Sequence, residues 1–124
     1  MSRAVEDSRK TNWYSYMKAC VIRYDPNRSP GSRLEERELW AVSQAIEQTH
    51  ALRTGEQRME LLRLAYWTPG GNLYVASDQL GIDRNTARAW SKGFIYAVAR
   101  NFFGASRLIP YKESRIKERP RRLW

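Results

Sequence analysis

The sequence predicts an all-α protein: a small helical bundle of about five helices with a C-terminal helix-turn-helix and a basic tail. Apolar residues recur three and four positions apart, which is the spacing of one helix face, and no stretch shows the alternation of a strand. Capping residues and glycines mark the ends of these segments. The length of 124 residues corresponds to one domain. We place a single helical domain at residues 11–104, after a flexible N-terminus (1–10) and before the basic tail (105–124).

The first predicted helix runs from Asn12 to Tyr24. Its apolar residues recur at helical spacing and form one stripe: Trp13, Met17, Cys20, Val21 and Tyr24. Cys20, the only cysteine, is expected to be a small buried hydrophobic residue and not a nucleophile. Residues 25–33 (DPNRSPGSR) contain two prolines and a glycine. They are predicted to form a loop, because proline cannot continue a helix.

A second helix is predicted to begin after Ser32 and to end near Leu52. Ser32 and Glu35 have the spacing of a capping box. The residues predicted for the inner face are Leu39, Val42 and Ile46. The carboxylates of this helix are expected on a solvated face, and not in an acid–base or metal site: Glu35, Glu36, Glu38 and Glu47. His50 is expected to face water or to interact with the helix dipole.

The third predicted helix, from Gly55 to Trp67, is unusually apolar. Thr54 and Gln57 have the spacing of a second capping box. The apolar residues of this helix are Met59, Leu61, Leu62, Ala65 and Tyr66. We therefore expect it to be the central helix, buried on much of its surface. The sequence Thr-Pro-Gly-Gly at 68–71 is a strong loop signal and ends the helix.

Residues 72–103 are predicted to form the helix-turn-helix. Asn72 caps a short helix over Leu73–Leu80, Gly81 takes a positive φ in the turn, and Asp83 caps a long helix that begins at Arg84. Apolar residues are expected to lock the two helices together: Ala76, Leu80, Ile82, Ala87 and Trp90. The core-facing side of the long helix is predicted to continue to about Phe102 through Phe94 and Val98.

The positive charge of the chain is concentrated in its second half. The formal net charge is +9. Residues 1–72 carry a net +2 and residues 73–124 a net +7, and the tail from Ala105 alone has 7 Lys and Arg against 2 acidic residues. Excess positive charge favours polyanions, nucleic acid first. The alternative, that the charge only aids solubility, fits such an uneven distribution poorly.

The outer face of the long helix is the predicted DNA-binding site, with double-stranded DNA as the partner. The residues assigned to it are Arg84, Asn85, Thr86, Arg88, Ser91 and Lys92. Arginine can bond guanine O6 and N7, asparagine can bond adenine N6 and N7, and the first turn of such a helix enters the major groove deepest. Five residues of the tail are expected to contact phosphates: Arg107, Lys112, Arg115, Arg121 and Arg122. The alternatives are that the tail is a disordered segment or that it folds on a partner.

Chemistry typical of enzymes is missing from the sequence. His50 has no cysteine or second histidine near it in sequence, and there is no phosphate-binding glycine loop with lysine and no Gly-x-Ser-x-Gly motif. We expect no enzymatic activity, no metal and no cofactor. A lone cysteine fits a reducing cytoplasm. Neither a signal peptide nor a run of ~18 apolar residues is present, so no membrane association is expected.

Two segments, GEQRMELLRLAYW and LYVASDQLGIDRNTARAWSKGFIYAVA, resemble phage late-gene transcription regulators of the RinA/ArpU type. Those regulators resemble in turn the promoter-binding helix-turn-helix of sigma factor region 4. The resemblance covers residues 55–103; the Thr-Pro-Gly-Gly loop and the basic tail depart from the family pattern. It implies binding to phage DNA near a late promoter in the cytoplasm of a bacterial host, contact with host RNA polymerase, and increased late-gene transcription.

Two other functions stay open at this point. Q-type antitermination factors use a similar module but act on paused RNA polymerase and change how it responds to terminators. The small terminase subunit, a ring-forming adapter for DNA packaging, also contains a helix-turn-helix, but generally near its N-terminus. Here the motif is late in the sequence, which disfavours the terminase. The oligomeric state, monomer or dimer, is left open.

Overall fold

The structure is a computed structural model that describes residues 13–104. Five helices follow one another in this range: α1 (13–22), α2 (Arg33–His50), α3 (Gly55–Tyr66), α4 (Leu73–Leu80) and α5 (Arg84–Phe103). No strand occurs among the described residues, and the predicted all-α bundle is confirmed. The N-terminus (1–10) and the basic tail (105–124), for which flexibility and phosphate contacts were predicted, lie outside the described residues.

The starts of α2 and α3 differ in how they are capped, and one of the two predicted capping boxes is wrong. Ser32 caps α2, since its Oγ accepts a hydrogen bond from the backbone N–H of Glu35 at 3.1 Å. Thr54 makes no capping bond to the start of α3, although its spacing with Gln57 predicted one. Its Oγ1 accepts instead from Nε of Arg58 at 2.9 Å. The backbone at Thr54 (φ −99°, ψ 23°) is not in the extended region from which an N-cap side chain reaches the next turn.

The expectation of a central α3 is met in part, because α5 shares this position: both helices contribute to the two core clusters, and α5 buries more residues. The residues that α5 buries lie on more than one of its sides: Ala87, Ser91, Phe94, Ile95, Ala97, Val98, Ala99 and Phe102. The shorter α3 buries Gly55, Leu61, Leu62 and Ala65, of which Leu62 lies in the main core and Leu61 and Ala65 lie in the second cluster. One side of α5 packs with α1 and α2 in the main core, and its N-terminal part packs with α3 and α4 in a second cluster. The alanines of α5 let its neighbours approach closely without forming an obvious apolar stripe in the sequence.

The inner face of α2 is rotated from the predicted one. Its buried residues are Glu38, Ala41, Val42, Ala45 and Thr49, whereas Leu39 and Ile46 are only half-buried. The expectation of a solvated Glu38 is therefore wrong. The Glu38 carboxylate accepts hydrogen bonds from the Tyr16 hydroxyl and from Arg23 Nη2, the latter at 2.9 Å. Both partners come from α1 or the turn that follows it, so this buried charge is paired and hydrogen-bonded.

The apolar stripe of α1 packs as predicted. Met17, Cys20 and Val21 are buried in the main core, and burial raises the pKa of the Cys20 thiol to about 11. This environment fits the expected small hydrophobic role, because a thiol that stays protonated is a poor nucleophile. Trp67, the residue that follows α3, donates from Nε1 to the Val21 carbonyl at 2.7 Å. The contact ties α1 to the end of α3.

The Thr-Pro-Gly-Gly loop sets where α4 begins. It turns tightly, and Gly71 N–H donates to the Thr68 carbonyl at 2.8 Å. A Cβ on Gly71 would lie only 2.2 Å from the Leu64 carbonyl oxygen, so the loop packs against the C-terminal turn of α3 at a distance only glycine allows. Because of this close contact, the start of α4 lies next to the end of α3.

Candidate nucleic-acid interface

The local signals of the helix-turn-helix produce the predicted turn. Asn72 Oδ1 accepts from the backbone N–H groups of Tyr74 and Val75 at 2.8 and 3.2 Å and caps α4. Gly81 has φ 68° and ψ 30°, the left-handed conformation that glycine adopts without penalty. Asp83 Oδ2 accepts from the second and third N–H groups of α5 at 2.9 and 3.3 Å. Helix bounds, turn and caps are therefore confirmed for this motif.

Small residues allow α4 and α5 to cross closely. Ala76 and Ala87 are buried where the two helices meet α3, and the half-buried Leu80, Ile82 and Trp90 close the cluster around them. Ser77 is fully buried, and its hydroxyl donates to the Tyr74 carbonyl at 2.8 Å. A serine fits this buried position because it is small and its polar group is hydrogen-bonded within its own helix.

The outer face of α5 is exposed, basic and partly flat. Arg84, Asn85, Arg88 and Lys92 are exposed and Thr86 is half-buried. Arg84, Arg88 and Lys92 lie along one side, because positions four apart share a helix face, and Asn85 joins them three residues before Arg88. Thr86, two residues from both arginines, lies at the edge of this face. Between them lie Ala89 and Gly93, also exposed, so no bulky side chain separates the helix backbone from a ligand there. The 20 residues of α5 include no acidic side chain.

The assignment of Ser91 to this face is wrong. Ser91 is 4% exposed, and its Oγ lies 2.5 Å from the Tyr66 hydroxyl oxygen in a hydrogen bond. It follows Ala87 by four residues and precedes Phe94 by three, so helical geometry places it on the core side with those two buried residues. The position of Ser91 in the helical period could have excluded it from the predicted site. Its hydroxyl group could not, because a hydroxyl group by itself does not indicate an exposed residue.

Two residues of α4 belong to the same surface, although sequence reasoning did not assign them to it. Tyr74 is 42% exposed, and the guanidinium carbons of Arg84 and Arg88 lie 5.0 and 5.9 Å from its ring centre. Arg88 Nη2 also donates to the Tyr74 hydroxyl at 3.2 Å. Asp78, one turn after Tyr74, pairs with Arg84 Nη2 at 3.2 Å across an exposed surface. The signal for this placement is the four-residue spacing of Tyr74 and Asp78, which puts both on one face of α4, different from the face of Ala76 and Leu80.

The predicted tail contacts fall outside the residues that the structure describes. They are the five cations Arg107, Lys112, Arg115, Arg121 and Arg122, whose role as phosphate anchors stays a prediction. The described part of the interface is therefore built from α4 and α5 alone.

The described range offers little to other kinds of site. Among residues 13–104, no three His, Cys, Asp or Glu side chains are grouped so that they could hold a metal ion. Across the same range, no helix combines the length and apolar character needed to cross a membrane. The cluster of Tyr16, Arg23 and the buried Glu38 joins α1 to α2, and each of its polar side chains has a partner. We assign this cluster to the stability of the fold.

Comparisons of the chain with models of protein families, with curated protein sequences and with solved structures each found no match. A function is therefore inferred from the residues and the geometry described above, together with the resemblance of residues 55–103 noted in the sequence.

Proposed function

We propose that the protein is a sequence-specific DNA-binding regulator that inserts the N-terminal part of α5 into the major groove. The observation that carries the proposal is the capped α4–Gly81–α5 unit, whose outer face presents Arg84, Asn85, Arg88 and Lys92 to solvent. Two helices joined by a short turn, with exposed base-reading side chains in the first turns of the second helix, form the geometry that reads the major groove.

The chemistry of this face suits base edges as well as phosphates. Guanidinium groups bond guanine as a fork, and an asparagine amide bonds adenine in the same bidentate way. Lys92 lies two turns after Arg84, a position suited to a phosphate further along the groove. The small exposed residues Ala89 and Gly93 let the helix approach the DNA closely. The cations of the tail would add phosphate contacts, which raise affinity for every sequence equally.

The biological role that we propose follows the resemblance to phage late-gene regulators. In this role the protein binds DNA in the cytoplasm of a bacterial host, contacts host RNA polymerase, and increases late-gene transcription without catalysing a reaction. The helices α1 to α3 form the scaffold that holds α4 and α5. The acidic Asp78 beside Arg84 fits this role. Their ion pair must open before Arg84 can bond a base, and this requirement disfavours weak, non-specific contacts.

The test is selection of bound fragments from random double-stranded DNA by the full chain, followed by footprinting of the selected site. We expect one enriched sequence, and Arg84→Ala or Asn85→Ala should relax the preference at one or two base pairs. Each lost bidentate contact corresponds to roughly 1–3 kcal/mol of discrimination. No enrichment, or an unchanged preference in both variants, contradicts the groove assignment.

Arg33→Ala is the matched control, because it removes the same charge from the far end of the bundle. Arg33 is exposed and lies one turn before Arg37, whose guanidinium donates to the Phe102 carbonyl near the end of α5. Arg84 lies 18 residues before Phe102, roughly 27 Å along the helix. The control should keep the full base preference.

Once a site is known, transcription with purified polymerase distinguishes the proposed roles. Increased initiation supports activation, and terminator readthrough alone supports antitermination. A ring of many subunits would instead support packaging.

A further inference from the structure

Tyr74 is the residue on which the two arginines of the outer face converge. It is the second residue of α4, it is 42% exposed, and its ring contacts Arg84 and Arg88 from the neighbouring helix. The two guanidinium carbons lie 5.0 and 5.9 Å from the ring centre. Both distances are within the range of about 6 Å in which the negative face of an aromatic ring attracts a cation.

The contacts to the two arginines differ in kind. Arg84 lies nearer the ring centre and also pairs with Asp78 at 3.2 Å. Arg88 lies farther from the centre and donates a hydrogen bond to the Tyr74 hydroxyl at 3.2 Å. Two guanidinium groups one turn apart repel each other and have many rotamers on an exposed helix. A ring that contacts both reduces this freedom before any ligand arrives.

We propose that Tyr74 is a positioning residue for DNA recognition, which holds Arg84 and Arg88 side by side so that both can read bases in one groove. The proposal rests on the proposed function. Four residues of helix correspond to about 6 Å along the axis, and base pairs are about 3.4 Å apart. The two arginines therefore read positions roughly two base-pair steps apart, and guanine is the base that arginine prefers. The recognised site contains two guanines at this spacing.

A purely structural role for Tyr74 fits the geometry less well. The ring is not in the cluster of Ala76 and Ala87 that joins α4 to α5, and the hydroxyl bonds a side chain of the outer face and not the core. Removing the ring should therefore change what the arginines do and leave the crossing of the helices unchanged.

The first experiment needs no DNA. In the full chain, nuclear magnetic resonance should show ring-current shifts of the Arg84 and Arg88 side-chain protons, which Tyr74→Leu removes. Tyr74→Phe should keep the Arg84 shift and weaken that of Arg88, because only the hydroxyl contact is lost. Val75→Ala is the matched control, since Val75 is the next residue and 54% exposed. Arginine shifts that are the same in the wild type and in Tyr74→Leu would overturn the positioning role.

The second experiment is selection from random DNA by the same variants. We expect Arg84→Ala to lose one of the two guanines, Arg88→Ala to lose the other, and Tyr74→Leu to lower the preference at both by about tenfold. Tyr74→Phe should lower mainly the preference that depends on Arg88, and Val75→Ala should lower neither. A wild type that selects two guanines, with Tyr74→Leu unchanged or weaker for all sequences alike, overturns this inference alone. A wild type that selects no sequence overturns the proposed function together with it, whatever the arginine shifts show.

Discussion

Gly81 and Gly93 should respond to the same substitution with opposite signs. Gly81 forms the turn with φ 68°, whereas Gly93 lies in the middle of α5 on its exposed outer face. A Cβ added at either position would meet nothing within 4 Å. Steric contacts with neighbours are therefore equal in the two cases, and only the backbone conformation distinguishes Gly81→Ala from Gly93→Ala.

The magnitudes follow from that difference. An L-residue in the left-handed region costs about 1 kcal/mol, so Gly81→Ala should lower the free energy of unfolding by this amount. Glycine in a helix interior is less stable than alanine by about 1 kcal/mol, so Gly93→Ala should raise it. The two variants should then differ by about 2 kcal/mol. With a urea m-value of about 2 kcal/mol/M, their unfolding midpoints lie about 1 M apart.

Urea unfolding followed by far-ultraviolet circular dichroism measures both variants against the wild type. Thermal melting provides a second measure, in which about 1 kcal/mol shifts the midpoint by about 4–8 °C for a domain of this size. An unaffected Gly81→Ala variant would mean that the turn is not left-handed. A destabilised Gly93→Ala variant would mean that this position is covered or not helical. Either result would refute the geometry assigned to the helix-turn-helix.

Three further results are expected. Trp90→Ala should lower the free energy of unfolding by about 3 kcal/mol, the low end for a buried aromatic, because the Trp90 ring is half-buried between the second cluster and Arg58. Unaltered melting of this variant would mean that Trp90 makes no core contact. Burial raises the pKa of Cys20 to about 11 and of Tyr14 to about 12. The folded state therefore holds these protons more tightly, so stability should be full below about pH 9 and fall between pH 9 and 12; in Cys20→Ala the fall should begin nearer pH 10, and a melting temperature constant to pH 12 would contradict the burial of both groups. DNA affinity should fall steeply with salt, and Lys92→Ala should reduce the log–log slope by roughly 0.9 if Lys92 contacts one phosphate; an equal slope would remove Lys92 from the interface.

The parts of the fold predicted correctly from the sequence are those set by local interactions. Asn72, Gly81 and Asp83 act on backbone groups within four residues of themselves, so residue type and position were enough to predict the caps and the turn. The inner face of α2 was predicted wrongly because it depends on a second helix, whereas the capping box at Thr54 failed locally, through the backbone conformation of Thr54 itself. Glu38 is buried because Tyr16 and Arg23 bond its carboxylate, and neither partner has a recognisable spacing from it.

Most of the candidate site divides in the same way. The exception is Ser91, which was assigned wrongly although the period of α5 alone places it on the core side. The exposed positions of Arg84, Asn85, Arg88 and Lys92 follow from the period of a single helix, so residue spacing alone is enough to predict them. The contacts of Tyr74 depend on how α4 crosses α5. The small residues of the turn region permit this crossing, but no residue spacing in the sequence indicates which side chains it brings together. The arginines are therefore predictable as a basic face, whereas their orientation relative to each other is a tertiary property, and the Tyr74 variants are the means to measure it.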